Sequence, residues 1–250
     1  RALAALGADV VQGDMDDPAT LARVFNGYRR VLSVQNWQVS GPEGEVRQGK
    51  HVADAARAAE VEHLVFASAG VGEDHSGVPH FDNKRVIEKY MTSLGIPYTV
   101  VRPVPFMELM TEKEFFPPMG IWGIAPKIMG WDTPFPWVAV RDIGMANANI
   151  FESPEKWIGR EVILCGDVKS LGESRKTFQA ITGKKPFRVP LPLRLFRKMA
   201  GDELIIMFRW MKRWIAGQGL QGLRALQEAS RGVCPDTLDV ERWLRMKQHT

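Results

Sequence analysis

Apolar and polar positions along this chain switch between two rhythms. Short β-branched or apolar runs at residues 8–11, 31–34, 61–67 and 98–101 have the length of buried strands. Longer stretches between them carry helical spacing and helix punctuation. Asp17 offers an N-cap, Pro18 a first helical position and Gly27 a stop. A polar loop at 40–44 leads into a helix over 45–59 that is Ala-rich on one face. The next helix runs over 79–94, bracketed by Pro79, Gly95 and Pro97, and places His80 and Lys84 four residues apart on one face. Strand and helix alternating at this spacing predict an α/β fold with a doubly wound parallel sheet.

After Phe106 the texture changes. Residues 115–137 are rich in Pro, Gly and Trp and read as an irregular segment or lid. A strand is expected over 137–140 and another over 161–165, with Asp142 as the cap of a helix over 143–151. Ser170 and Glu173 form a capping box, and Gly183 ends that helix. In the helical tail, Leu204, Met207, Phe208, Met211, Trp214 and Ile215 form one apolar stripe, read as packed on the sheet region. The expected division is a domain over residues 1–112 and a smaller, mostly helical region over 113–250, partly packed back on the sheet.

Composition narrows the class. At 250 residues and 45% hydrophobic, the chain can bury a large core. It contains no run of 18 apolar residues, so no transmembrane helix is expected. Cys165 and Cys234 lack metal-ligand or redox spacing, which suits a reducing cytoplasm. Residues 184–250 hold 14 Lys and Arg against 6 Asp and Glu. Spread over helices, these charges read as a solvated face, and no zinc-finger, helix-turn-helix or RNA-binding signature points to nucleic acid. Arg1 is not an initiator Met, no signal-peptide pattern is present, and residues 1–6 read as the end of a helix stopped by Gly7. The expectation is a chain cut inside a domain.

In an open α/β sheet, ligands bind beyond the carboxyl ends of the strands. The candidates there are Asp14, Gln35 to Trp37, Ser68, and the segment Pro103 to Glu108, with Lys84 from the following helix. No metal cluster, serine-hydrolase elbow or P-loop occurs.

An ordered set of segments carries a resemblance: GADVVQGDMDDPATL, NWQ with EVRQGK, HFDNKRVIEKY, GIPYTVVRP with FMEL, VAVRDIG, and MFRW and DTLDVERWL near the end. From about Gly7 onward the chain resembles the NmrA-like family of atypical short-chain dehydrogenase/reductases. The resemblance implies an NAD(P)-binding Rossmann domain and a C-terminal substrate or lid region. It implies that Asp14 and Met15 contact adenine, and that Gln35, Asn36 and Trp37 border the ribose and nicotinamide. Arg47 matches a basic position near the cofactor. Lys84 stands where the lysine of the dehydrogenase Y-x-x-x-K motif stands, suited to ribose hydroxyls because an ammonium offers three donors. Phe106, Met107 and Glu108 should border the nicotinamide. His80 occupies the place of the reductase tyrosine, and Ser68 lies near the usual serine. A histidine can also act as a general acid, with different reach.

The same resemblance places a strand, a G-x-x-G-x-x-G loop, a helix and a second strand ahead of this sequence, roughly forty residues that hold the pyrophosphate. Without them the strand at 8–11 lacks a neighbour, the strand at 31–34 keeps an open edge, and dinucleotide binding by these 250 residues is expected to be poor or absent. Two functional readings stay open, beside a third, bland one of a non-functional truncated product with a poorly cooperative melt. One is a dinucleotide-binding sensor or regulator, with a protein partner and weak or no turnover, using NADP or NAD. The other is an NADPH-dependent reductase of an apolar quinone, enone or carbonyl, with His80, Lys84 and Ser68 as its catalytic candidates.

Overall fold

The computed structural model of the chain describes residues 2–111, 120–186 and 192–248. A short helix, α1 (Ala2–Ala5), precedes α2 (Pro18–Phe25), β1 (Arg30–Ser33), α3 (Trp37–Ala58), β2 (His63–Ala67), α4 (Pro79–Ser93) and β3 (Tyr98–Pro103). A 3₁₀ turn at Met107–Met110 and a π turn at Gly120–Ile124 lead to α5 (Ala125–Met129), β4 (Pro136–Trp137), α6 (Val140–Glu152) and α7 (Pro154–Trp157). The chain continues through β5 (Glu161–Leu164), β6 (Asp167–Val168), α8 (Leu171–Thr182), α9 (Leu193–Ala200), α10 (Glu203–Arg231) and α11 (Val240–Gln248).

The main sheet runs β1-β2-β3-β5, every described pair parallel. Each crossover from strand to parallel strand passes through a helix, which forces helices onto both faces. Strand β2 shows the result: Leu64 and Phe66 enter a core with Val52, Ile87 and Met91, while Val65 enters another with Ala146, Ile150 and Val162. The helices α3 and α4 pack so closely that a Cβ on Gly49 would lie 2.4 Å from Ile87 Cδ1. A third core joins Trp122, Phe135 and Trp137 to Phe208, Met211 and Ile215 of α10, so the apolar stripe of the tail is covered within the chain. Strand β5 returns the later part of the chain to the main sheet.

Several local expectations hold. Asp17 caps α2, its carboxylate accepting from the Ala19 N–H at 2.9 Å, and Gly27 follows with a positive φ. The Ser170–Glu173 capping box is formed in both directions.

Others do not. Residues 8–11 form no strand and are exposed, because no strand lies beside them among the described residues and a lone strand has nothing to pair with. The expected loop at 40–44 lies inside α3, which bends at Gly41 (φ 72°) ahead of Pro42. Residues 120–129 are helical rather than irregular, and most of them are buried; residues 112–119, with the expected domain boundary, lie outside the described set. The strand at 137–140 shrinks to Pro136–Trp137, since Val140 already begins α6. Asp142 does not cap α6. It sits inside the helix, buried, and accepts from the Leu238 N–H at 2.7 Å; the Glu108 carboxylate accepts from the Val140 N–H instead.

Candidate functional site

The carboxyl end of β1 gathers the residues of interest. The chain leaves the strand through Gln35, turns at Asn36 and enters α3 at Trp37. Asn36 caps that helix, its Oδ1 accepting from the Gln38 N–H at 2.9 Å. Gln35 is buried: its amide donates to Ser33 Oγ at 2.8 Å, and its Oε1 has no hydrogen-bond partner. Lys84 reaches across from the first turns of α4. Its Nζ donates to the Gln35 carbonyl at 2.9 Å and pairs with Glu45 Oε1 at 3.1 Å, with the Phe66 ring 5.3 Å away. Both charges are removed from water, Glu45 completely. Burial pulls the Lys84 pKa below its ordinary value, while the Glu45 and Glu88 carboxylates push it back up.

One turn earlier, His80 stacks on Trp37 with ring centroids 5.5 Å apart and planes 15° from parallel. Its Nδ1 lies 2.6 Å from Glu203 Oε1, at the start of α10. The edge of Phe81 closes on the same ring at 4.5 Å, and Phe81 meets Trp210 of α10 at 5.0 Å. Helix α10 thus rests directly on His80 and Phe81.

The adenine-side candidates continue this cluster. Met15 Sδ lies 3.8 Å from the Gln35 amide nitrogen, and the Met15 carbonyl is 3.0 Å from His51 Nδ1. Asp14 is exposed and closes a local turn, its Oδ1 accepting from the Asp16 N–H at 2.8 Å. Arg47 faces the same turn and donates from Nε to Asp16 Oδ1 at 2.8 Å; that contact holds the Asp16 carboxyl below the usual range.

Ser68 stands elsewhere. Its hydroxyl donates to Glu88 Oε1 at 2.5 Å and accepts from Arg102 Nη1 at 2.9 Å. Arg102 is 1% exposed and also pairs with Glu88 Oε2 at 2.7 Å. This buried network ties β2, β3 and α4 together.

At the end of β3, Phe106 bridges Val138, and the Met107 N–H donates to the Val138 carbonyl at 2.8 Å. The Met107 side chain is fully buried. Glu108 accepts from the Val140 N–H at 3.1 Å and from Trp243 Nε1 at 3.1 Å, and burial raises its pKa. Its carboxylate fastens α6 and α11 together.

Sequence reasoning passed over Glu45, Glu203, Asp16 and the Glu88–Arg102 pair. Glu45 opens the EVRQGK segment and had a signal in that motif. Glu203 had none, standing 123 positions from its partner. Cys165 is buried and its thiol is pushed up to about 12, so it is no nucleophile. Among the described residues, no cluster of His, Cys, Asp and Glu could hold a metal ion, and no helix is long and apolar enough to cross a membrane.

A nicotinamide dinucleotide fits the residues at the end of β1. The orphaned Gln35 Oε1 and an ammonium with a third proton beyond its two acceptors offer an acceptor and a donor to ribose hydroxyls. Lys84, Gln35 and Asn36 would hold the nicotinamide half, and Asp14 and Met15 the adenine.

A parallel α/β sheet with its candidate polar residues gathered beyond the strand ends defines a Rossmann-type protein. The chain belongs to the NmrA-like family, whose profile matches residues 1–238. An NmrA-like family domain-containing oxidoreductase, lnaB of Aspergillus flavus, is 30% identical over 207 residues, covering 74% of this chain and 62% of that protein. The nitrogen metabolite repression protein nmrA of Emericella nidulans is 31% identical over 170 residues, 59% of this chain and 45% of that one. The chain thus spans about three fifths of the length of the first of these relatives. Among solved structures, NmrA, a negative transcriptional regulator, in complex with NAD superposes with a TM-score of 0.70 at 21% identity, covering 95% of this chain and 79% of that one. The NADPH-dependent quinone oxidoreductase QOR2 of Escherichia coli, complexed with NADPH, superposes at 0.72 and 20% identity, covering 99% and 86%. These likenesses establish the fold.

Proposed function

We propose that this chain contributes the larger part of a nicotinamide dinucleotide site, for NADP or NAD, and serves as a redox or dinucleotide sensor with weak or no turnover. One observation carries the reading. Ser68, which a reductase would aim at its substrate, is locked to Glu88 and Arg102, and no tyrosine stands beside Lys84. A site with a ribose-binding lysine but no serine–tyrosine pair suits binding rather than reduction. In this reading residues 1–112 hold the dinucleotide, and residues 113–250 present a surface to a regulatory protein partner or cover an apolar ligand.

A second reading rests on the His80–Glu203 pair. A carboxylate-held imidazole is a proton carrier, so reduction of a quinone, enone or carbonyl is supported by that contact alone. Bound reduced nicotinamide would supply the hydride.

Calorimetric titration of NADPH and NADH, followed by an NADPH-oxidation assay with quinones, separates the readings. Saturable binding without turnover is expected in a form extended at its N-terminus by the strand, glycine-rich loop, helix and second strand that the family resemblance implies, and poor binding by these 250 residues alone. Steady oxidation lost in Lys84→Ala favours the reductase, and absence of binding to a well-folded extended form refutes both.

A further inference from the structure

We propose that Glu203 is a positioning residue that fixes the His80 imidazole in one tautomer and turns its Nε2 into a hydrogen-bond acceptor for the dinucleotide's nicotinamide half. The inference rests on the dinucleotide reading above.

The argument starts from what each group can donate. An ionised carboxylate only accepts, so the 2.6 Å contact between Glu203 Oε1 and His80 Nδ1 requires a proton on Nδ1. A neutral ring so held has its lone pair on Nε2. No hydrogen bond to Nε2 occurs among the described residues. The ring cannot rotate freely to exchange its nitrogens, since Trp37 covers one face and the edge of Phe81 meets it at 73°. Its orientation is therefore set by three groups from three elements.

The placement of that lone pair is what points to a ligand. Trp37 stands two residues after Gln35, whose carbonyl takes Lys84 Nζ and whose Oε1 is buried without a partner. Lys84 and Gln35 thus meet at the end of β1, and the His80 ring, one turn before Lys84 on α4, stacks on Trp37 just beyond that end. Donors and acceptors mixed in this way suit a ligand with hydroxyl and carboxamide groups, such as nicotinamide riboside, and not a purely anionic one.

Glu203 also belongs to a contact set larger than one bond. Two turns on, Trp210 Nε1 donates to Glu73 Oε1, and its ring meets Phe81 at 5.0 Å. Besides the His80 bond, one contact holds α10 against the start of α4 and one against the loop before it, so loss of the Glu203 carboxylate should leave the helix docked. That separates a positioning role from a merely structural one.

The test is nitrogen-15 NMR of the His80 ring in its neutral form, in the wild type, Glu203→Gln and Glu203→Leu, together with NADPH titration of each. The expected result is the Nδ1–H tautomer in the wild type and the Nε2–H tautomer in Glu203→Leu. NADPH affinity should fall about 10-fold in Glu203→Leu and less in Glu203→Gln, whose amide oxygen can still accept. An Nε2–H ring in the wild type overturns the proposal, as does unchanged affinity in a Glu203→Leu protein that has switched tautomer. If Glu203→Leu fails to fold, Glu203→Ala, which also removes the acceptor, decides by the same two readouts. The NADPH titrations use each variant extended at its N-terminus by the glycine-loop segment the family resemblance implies; failure of that wild type to bind NADPH or NADH refutes the dinucleotide reading, and with it the ligand named here, whatever tautomer the ring adopts.

Discussion

Lys84 and Glu45 have two jobs to separate, one in folding and one in binding. The side chains pair at 3.1 Å with 8% and 0% of their surface exposed, so neither charge can turn to water if the other is removed. Lys84→Met leaves the Glu45 carboxylate with only the Asn83 amide at 3.3 Å. Breaking a buried pair in this way costs about 3–5 kcal/mol. For a chain of this size that lowers the melting temperature by about 6–20 °C. Glu45→Gln keeps the shape and leaves Lys84 its bond to the Gln35 carbonyl, so it should cost less, about 1–3 kcal/mol. The double variant Lys84→Met/Glu45→Gln removes both charges and should recover most of the loss, with a coupling of about 2 kcal/mol or more.

Binding should not follow stability. If Lys84 donates to ribose hydroxyls, the double variant melts near the wild type yet stays deficient in NADPH binding. Urea denaturation and calorimetric titration on the four proteins of the cycle give both answers. A Lys84→Met protein as stable as the wild type refutes the burial argument. A double variant that binds NADPH normally removes Lys84 from the site.

The pH dependence of the same residue has a definite sign. Burial depresses the Lys84 pKa, so between that value and its ordinary 10.5 the folded chain binds fewer protons than the unfolded one. Stability contributed by this group should therefore rise with pH across that window and be flat in Lys84→Met, as urea midpoints would show. Glu108 has the opposite sign: burial raises it, so the folded chain holds its proton longer. The advantage of Glu108→Gln over the wild type should shrink as pH falls through the raised value toward 4.5; an advantage constant with pH argues against the shift. Gly49→Ala should destabilise by about 1–3 kcal/mol, because its Cβ would lie 2.4 Å from Ile87 Cδ1 at the α3–α4 contact; a neutral result means the helices can part. Ser170→Ala should cost about 1 kcal/mol through loss of the capping box on α8, read by thermal melting.

Much of the fold could be read from local chemistry. The apolar runs of β2 and β3 are continuous because each is buried on both faces, and Pro79 and Gly95 bracket α4 with the backbone preferences of a helix start and stop. The misreadings arose where a distant group decided the matter. Residues 8–11 have strand composition but no strand to pair with among the described residues. Ile121 and Trp122 lie among Gly and Pro, which suggests a loop, yet their burial against the α10 core makes them helical. Asp142 has the residue type of a cap, but the Leu238 N–H claims its carboxylate and Glu108 reaches the helix end first.

The site divides along the same line. Gln35, Asn36, Trp37, His80 and Lys84 were named from sequence, and the structure brings them together because strand end and helix start meet there. What sequence could not supply was the state of each group. Lys84 is read differently once Glu45 is seen beside it, Ser68 once Arg102 and Glu88 have claimed its hydroxyl, and His80 once Glu203 is seen beside its Nδ1. Each of those partners is a charged side chain on another element, invisible to periodicity and spacing. They decide whether a residue at a ligand-binding strand end is available for chemistry. In this chain Ser68 is held by Glu88 and Arg102, Lys84 by Glu45 and the Gln35 carbonyl, and His80 by Glu203, contacts that the residue types alone do not reveal.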